Sequence, residues 1–483
     1  MNLPHKVIGK YKVLSKPARA SLWFTGCYVI QRGLQFIGMP IYTRIMSTTE
    51  YGVYSVFLSW FNLICVFSSL SIYNGTFNKA MIKYEKTRDQ YISSVQCLTT
   101  IVTLMFILFF MCIHNLITKW TGFEIKFQLL LYVHLLMFPT LQYWSQKQRF
   151  LFEYKKLVCV TLVNSIMSLA FGILFVLTSK DKSFALITVT VAVQAIINGI
   201  LYISLIKKGK CMYHSTYWSW TLVTAVPLIP HYLSEILLGH ADRLMINQMC
   251  GSGQAGVYNI VYQISMIMTI LRTGINASFT PWLYYALKEK TYESVRKITA
   301  LITILMWGIT FLLMLIGPEI LKIVAPKTYY EAVIDIPAIM IGCFFIYIYV
   351  LFLNVEIYFE QNQFVAVASI IAAILNMVLN YICIQAFGYL AAGYTTMISY
   401  MTMAILHYCF LRKIIKKNNE LNRIFDFKLI LFLSIILVFL GGILLKLYEW
   451  FLLRLLLIMV IWIVVVVKKK TIMDVFLTLG NKK

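Results

Sequence analysis

The residues of this sequence best suited to chemistry are charged groups set inside long apolar runs. Arg32 lies in the run 21–43 and Arg272 in 254–278. A charge at mid-bilayer costs about 2.5–3.5 kcal/mol on insertion scales, so it faces a cavity or a partner. The planar fork of an arginine can hold two oxygens of one phosphate or carboxylate. Both arginines are therefore candidate anion-binding groups, against the alternatives of a structural ion pair or a side chain snorkelling to the interface. Ser265, Thr269, Arg272 and Asn276 recur at i, i+4, i+7 and i+11, which places them on one helix face. Such a stripe reads as cavity lining. Helix–helix hydrogen bonding accounts for Ser and Thr but not for Arg.

His231, Glu235 and Asp242 also share a face, at i, i+4 and i+11. Glu235, the deeper acid, can carry an exchangeable proton or neutralise an arginine, and the sequence leaves both open. Asp242 and Arg243 sit near the end of this stretch and read as an interfacial pair. Arg44, at the matching end of the first run, is a candidate for gating or pairing. Glu356, with Asn354 nearby, lies close to the end of 332–358, where a solvated position is expected. Asn376 and Asn380, one turn apart, are expected to hold helices together.

The elements that position these groups are spans. The chain has 483 residues, 60% hydrophobic and only 13% charged, against roughly 25% charged in soluble domains. A spanning helix needs about 20 apolar residues. Segments of that kind fall at 21–43, 51–76, 91–114, 127–146, 157–178, 184–206, 218–240, 254–278, 298–317, 332–358, 364–385, 389–411, 428–445 and 450–467. The expected fold is an all-α polytopic membrane protein with about fourteen transmembrane helices. The first run lacks a cleavage site and is expected to remain as a span. Pro227 with Pro230, and Gly38-Met39-Pro40, are expected to bend or break spans seven and one.

The net charge of +24 has two readings, nucleic-acid binding or the positive-inside rule. Placement favours the second. With the first segment inside and each span crossing once, basic residues crowd alternate loops. Examples are Lys6, Lys10, Lys12, Lys16 and Arg19, then Arg412, Lys413, Lys416 and Lys417, then Lys468, Lys469 and Lys470. The far-side loops hold about a third as many, Arg454 among them. Both termini are expected on the basic, cytoplasmic side, and nucleic acid is not expected as a partner.

The loops are too short to carry a soluble domain. The ten cysteines form no C-x-x-C pair, and those such as Cys65, Cys97, Cys343 and Cys383 read as small apolar residues. Gly251-Ser252-Gly253-Gln254-Ala255-Gly256 matches G-x-G-x-x-G but follows no strand. There is no phosphate-loop motif and no H-E-x-x-H. No catalytic residue, metal site or bound cofactor is expected. An ion gradient, of protons or sodium, or mass action by downstream consumption is the energy source left by exclusion.

Two short patterns repeat. Tyr42-Thr43-Arg44 is followed by Gly52-Val53-Tyr54, and Ala241-Asp242-Arg243 by Gly256-Val257-Tyr258. They lie six spans apart, as expected of a duplicated six-helix unit. The division that follows is 1–210, 211–415, and 416–483 for two further helices. These stretches, with Met39-Pro40 through Ser55, Pro227-Leu228-Ile229-Pro230-His231, Leu375-Asn376 with Asn380, Phe387-Gly388, Ala391-Ala392-Gly393 and Ser399-Tyr400, resemble the Wzx-type polysaccharide flippases of the multidrug/oligosaccharidyl-lipid/polysaccharide exporter superfamily. The resemblance touches both halves of the chain.

That resemblance implies two pseudo-symmetric six-helix bundles around a central cavity, plus two C-terminal helices. It also implies transfer of undecaprenyl-diphosphate-linked oligosaccharides to the outer leaflet of the bacterial inner membrane by alternating access. Expected partners are that lipid-linked substrate, membrane lipids, and a polysaccharide polymerase and assembly proteins. Related peptidoglycan-precursor flippases carry cavity arginines in their first and eighth helices, which supports Arg32 and Arg272 as contacts for the diphosphate or an acidic sugar. Two other functions are weighed. A drug-cation antiporter of the same superfamily predicts acidic cavity groups. A membrane glycan polymerase or ligase predicts a sizeable outside loop.

Overall fold

The structure, a computed structural model, describes residues 16–360 and 362–467. The basic residues Lys6, Lys10, Lys12 and Lys468–Lys470 lie outside the described residues. The helices run α1 (Lys16–Ile45), α2 (Thr48–Ser68), α3 (Gly75–Lys83), α4 (Arg88–Cys112), α5 (His114–Thr121), α6 (Ile125–Phe150), α7 (Tyr154–Thr178), α8 (Lys182–Gly209) and α9 (Ser215–Ala225). They continue with α10 (Ile229–Cys250), α11 (Ser252–Lys288), α12 (Tyr292–Val324), α13 (Ile336–Tyr358), α14 (Asn362–Phe387), α15 (Ala391–Lys417), α16 (Phe427–Leu447) and α17 (Phe451–Val467). No strand occurs among the described residues. Each of the fourteen expected segments overlaps a helix, although 218–240 is divided between α9 and α10 and 51–76 runs past the end of α2. Nine segments are long and apolar enough, among the described residues, to cross a membrane. The all-helical membrane fold expected from the sequence is the one observed.

Local signals explain where helices begin. Ser47 and Glu50 form a capping box at the start of α2, each side chain meeting the other's backbone N–H. Gly251 precedes α11 at φ +105°, a conformation open to glycine, so the G-x-G-x-x-G stretch is a helix start. Prolines act by position. Pro227 and Pro230 break span seven, where α9 ends at Ala225 and a 3-10 turn covers Val226–Leu228 before α10. Pro40 does not break span one, since α1 continues to Ile45. Only the last turn lies beyond Pro40, so little of the helix depends on the hydrogen bond that proline removes.

Two compact units divide the chain at Ile236/Leu237, inside α10. In the first, Phe77, Tyr91 and Tyr143 form a fully buried aromatic core. Tyr91 Oη meets Thr221 Oγ1 at 2.9 Å, and Trp218 Nε1 donates to Ser94, so α9 is tied to α4. The Gly75 N–H donates to Tyr232 Oη at 3.1 Å. His134 stacks on Phe61 and meets Gln194 Oε1 at 2.9 Å. In the second unit α13 lies centrally, packed by α11, α12, α15 and α16.

The duplication is visible in hydrogen bonds as well as in motifs. Thr99 Oγ1 meets Tyr143 Oη at 2.7 Å, and Thr303 Oγ1 meets Tyr347 Oη at 3.0 Å. Tyr143 and Tyr347 are separated along the chain by the same interval as Thr99 and Thr303, and as Gly52 and Gly256. Each threonine also donates to the carbonyl four residues back, which leaves no buried hydroxyl unsatisfied.

One sequence expectation is corrected here. Arg454 is not a solvated far-side residue but is 2% exposed. Its guanidinium binds both carboxylate oxygens of Glu319 at 2.7 Å and the Leu315 carbonyl at 2.9 Å, and so docks α17 on α12. A bidentate pair satisfies a charge that hydrocarbon cannot. Replacing Arg454 with Ala leaves Glu319 unpaired and is expected to cost about 2–4 kcal/mol, read as a lowered unfolding midpoint of the purified protein. An unchanged midpoint would show that the pair contributes nothing to stability.

Asp426 caps α16 through the Leu429 N–H and pairs with Arg296 Nη2 at 2.9 Å. The hydrogen bond from Arg296, then that from Leu429, hold its carboxyl below the usual range. A depressed carboxyl contributes stability above its unfolded pKa, near 4, that is lost as pH falls through the folded value. The gap in unfolding midpoint between wild type and Asp426→Asn should be full at pH 7 and close on acidification below about pH 4. A gap that persists at low pH would remove this account.

Candidate functional site

The densest polar cluster among the described residues centres on Asp242, in the second unit. Its side chain is buried, and three donors converge on it. Tyr258 Oη and Thr396 Oγ1 each donate to Oδ2 at 2.7 Å, and Asn380 Nδ2 donates to Oδ1 at 2.6 Å. Asn376 extends the network to Thr396 and Asn380, and Thr395 donates to Asn380 Oδ1. Four helices, α10, α11, α14 and α15, are thereby tied to one carboxylate. The tyrosine is the last residue of the repeated Gly256-Val257-Tyr258 pattern. In the first unit Thr43 stands where Asp242 stands in the second, so the repeat keeps the scaffold and changes the charge.

The reading of Asp242 and Arg243 as an interfacial pair is overturned. Both are buried, at 1% and 4% exposure. Neighbours on a helix point about 100° apart, and here they take separate partners. Arg243 donates to the Gly239 carbonyl at 2.7 Å, meets His240 Nδ1 at 3.1 Å, and lies over the Tyr262 ring at 4.1 Å.

Asp335 ends a 3-10 turn (Lys327–Asp335) before α13. It is fully buried, and both carboxylate oxygens lack a hydrogen-bond donor. It interacts through space with the Asp242 carboxylate and packs against Gly393, where an added Cβ would stand 3.0 Å from its carboxyl. A buried carboxylate without donors requires a proton or a cation as partner. Only the Asp335 carboxyl is left open in this way, and no group of three or more His, Cys, Asp or Glu side chains suited to a metal ion occurs among the described residues. Sequence reasoning did not single out Asp335, which lies at the very start of the run 332–358, where a solvated acid is the ordinary reading.

Arg272 and Asn276 do share a face, as their spacing requires. They line one small pocket with Ile275, Phe279, Ile302, Tyr347, Val350, Leu351 and Asn354. Asn354 Nδ2 donates to Asn276 Oδ1 at 2.9 Å, and Thr280 Oγ1 reaches both asparagines at 3.1 and 3.4 Å. Among the described residues no carboxylate or carbonyl is bonded to the Arg272 guanidinium, unlike those of Arg243 and Arg454. The pocket interior has room for about one water molecule, so it suits a single oxygen of an anion and not a sugar.

Glu356 is not solvated, as its place near the end of span ten suggested. It is fully buried with His407 of α15, Oε2 to Nδ1 at 2.9 Å. Asn354 and Glu356, two residues apart, lie about 200° round the helix, so one faces the pocket and the other faces α15. His407 itself is a lone histidine in an apolar segment, with no sequence signal of its own.

The remaining expected residues belong to the first unit. Arg32 Nη1 donates to Gln35 Oε1 at 3.1 Å, and its guanidinium lies 5.3 Å from the Tyr28 ring centre. Arg44 Nη1 donates to the Pro40 carbonyl at 2.8 Å. His231 Nε2 and Glu235 Oε1 are 3.8 Å apart, a loose pair with Glu235 52% exposed. Arg32 and Arg44 of α1 are not joined to His231 or Glu235 by any ion pair among the described residues.

A family model described as polysaccharide biosynthesis protein matches residues 18–287, more than half of the chain. The chain belongs to the polysaccharide biosynthesis protein family. The "Lsg locus putative protein 1" of Haemophilus influenzae is 25% identical over 178 residues, 35% of this chain. The match spans 43% of that relative's length. The polysaccharide biosynthesis family member also shares its fold with solved transporters. A structure of the lipid II flippase MurJ in an inward closed conformation aligns with 93% of this chain and 100% of its own, with TM-score 0.69 and 16% identity. An inward-facing multidrug resistance MATE family transporter of the MOP superfamily aligns with 81% of this chain and 96% of its own, with TM-score 0.64 and 11% identity. These findings bear out the resemblance carried by the repeated motifs. This family member is a multi-pass membrane protein of transporter fold.

Truncating Asp242 to Ala should strand the Tyr258, Asn380 and Thr396 donors, at about 1–3 kcal/mol for each left unpaired. The expected result is a large drop in unfolding midpoint, against a small one for Thr43→Ala. Equal effects would show that the cluster does not organise the second unit.

Proposed function

We propose that the chain is a flippase. It carries undecaprenyl-diphosphate-linked oligosaccharide repeat units from the cytoplasmic to the outer leaflet of the bacterial inner membrane, by alternating access, for surface polysaccharide assembly. The observation that carries this reading is the family match across residues 18–287, joined to a fold shared along the whole length of a lipid II flippase. The physical task is consistent with the chain. A glycan and a diphosphate cannot cross hydrocarbon unaided, and a helical chain with cations inside its spans can offer them a polar path. Arg32, Arg272 and Asn276 are the proposed contacts for the anionic part of the substrate, with Glu235 and His231 as polar lining. Arg44 is proposed as a gating or pairing residue. Asp242, Arg243 and Glu356 act within the second unit through their buried partners. No step requires covalent chemistry by the protein.

Transport against a gradient needs an energy source, and a proton or sodium gradient is proposed. The buried Asp335 carboxyl, whose two oxygens have no donor, is the proposed place for the coupling ion or proton. A polymerase and other assembly proteins would act on the product. Both termini are proposed on the cytoplasmic side, a reading that the charge asymmetry of the loops supports. A drug-cation antiporter is the second reading, favoured by the fold shared with the multidrug transporter. The arginines at 32 and 272 argue against it, because a cationic substrate calls for acidic lining.

The test is deletion of the gene in its host, with complementation by wild type, Arg32→Ala and Arg272→Ala at matched membrane levels. Surface polysaccharide should disappear on deletion while lipid-linked units accumulate on the cytoplasmic leaflet. Each arginine variant should restore about tenfold to a hundredfold less than wild type, the value of a charged hydrogen bond. Full complementation by the variants would remove the assigned contacts and leave the flippase. Unchanged polysaccharide with raised sensitivity to cationic drugs would replace the flippase by the antiporter.

A further inference from the structure

We propose that the basic face of the connector between α15 and α16 is a binding surface for the phosphodiester headgroups of anionic glycerophospholipids. The connector is an ordered element with two faces. Leu411, Ile414, Ile415, Leu421 and Ile424 are buried. Phe425 packs on Phe352 of α13, with ring centroids 5.8 Å apart. Arg412, Lys413, Lys416, Lys417 and Arg423 are all exposed. The apolar side fixes the segment on the second unit, and the cations are displayed outward.

The protein's own acids do not account for these cations. Glu420 is held by Lys290 at 3.0 Å and Asp426 by Arg296 at 2.9 Å. Among the described residues no acid forms an ion pair with any of the five. The helix dipole favours cations in the last turn of α15, which explains Lys416 and Lys417 but not Arg412 and Lys413. Arg412 with Lys416, and Lys413 with Lys417, stand at i, i+4, where like charges destabilise a helix. The charge rule for insertion explains why basic residues follow a span. It does not explain why the local acids are bound elsewhere while the cations share one ordered face. A bound anion explains both, because it relieves the repulsion that the nearby acids leave in place.

Depth selects the kind of anion. The apolar run of α15 gives way to cations at Arg412, directly after Phe410 and Leu411. Phe410 stacks on Phe364, near the start of α14, at 4.7 Å, and Lys413 Nζ stands 5.5 Å from both ring centres. Cations at the end of a span stand at the level of the headgroups. Clusters of about four to eight basic residues directly after a span attract anionic lipids. The fork of Arg412 can take two oxygens of one phosphodiester, and the lysine ammoniums act as point charges beside it. A lipid seated here touches the ends of α14 and α15 and steadies the connector that leads to α16. The surface rests on the membrane fold and not on the flippase reading.

The test needs no substrate. Purified full-length protein is placed in phosphatidylcholine nanodiscs with increasing phosphatidylglycerol, and the unfolding midpoint is followed. The midpoint should rise with the anionic fraction, and the rise should shrink with added salt, which screens exposed charges. Each cation neutralised among Arg412→Gln, Lys413→Gln, Lys416→Gln and Lys417→Gln should raise the fraction needed for half the effect about fivefold. The midpoint in pure phosphatidylcholine should stay close to that of wild type. Lys79→Gln/Lys155→Gln/Lys207→Gln/Lys208→Gln removes the same charge from the first unit and should keep the wild-type response. An equal loss in that control would make the response one of net charge and overturn the surface. So would a wild type indifferent to phosphatidylglycerol, or an equal rise on adding inorganic phosphate to phosphatidylcholine discs. If the fourfold variant does not fold, Arg412→Gln/Lys416→Gln and Lys413→Gln/Lys417→Gln decide, and a wild-type response in both also overturns the surface. Failure of the gene-deletion experiment would remove the flippase and leave this response untouched.

Discussion

A polar group inside hydrocarbon has no water to fall back on, so it must be satisfied by its own chain. Most of the second unit can be understood from that one constraint. Asp242 is tolerable because Tyr258, Asn380 and Thr396 all donate to it. Arg454 is tolerable because Glu319 and a backbone carbonyl receive it. The threonines at 299, 303 and 310 are tolerable because each returns its hydroxyl to the helix one turn back. Groups that escape the constraint then stand out. The Asp335 carboxyl and the outer atoms of the Glu356–His407 pair have no hydrogen-bond partner among the described residues, nor do Arg243 Nε and Tyr389 Oη.

The internal duplication separates scaffold from function. Thr99 with Tyr143 and Thr303 with Tyr347 tie equivalent helices in the two units, and the Gly-Val-Tyr pattern opens the equivalent helix in each. These contacts serve packing and recur. Of the charged groups, the motif arginines Arg44 and Arg243 recur, and the others named here do not. Thr43 faces Asp242 in the comparison, and neither the His134–Gln194 contact nor the Glu356–His407 pair has a matching pair at the repeat interval in the other unit. Two copies of one bundle have been given different electrostatics.

Backbone breaks follow the same economy. Pro227 and Pro230 interrupt span seven close to the boundary between the two compact units, whereas Pro40 is absorbed in the last turns of a continuous helix. A break is useful where two units meet in the chain and has no evident use at the end of a helix that must only reach the next loop.

The sequence by itself determined the class of the molecule. Apolar runs of spanning length, two repeated motifs and the spacing of Arg272 with Asn276 are all local or periodic properties, and each is realised in the helices. It did not determine which charges are buried. Asp242, Glu356 and Arg454 read as interfacial because each lies near the end of an apolar run, and depth along a helix was the available measure. Burial in a bundle depends instead on which way a side chain points and what another helix brings to it. Asn380 and Thr396 reach Asp242 from more than a hundred residues away, as Glu319 reaches Arg454. His407, alone in an apolar segment, acquired a partner only when α15 packed against α13. Those pairings depend on rotation and contact between helices, which hydropathy and spacing along one chain do not encode.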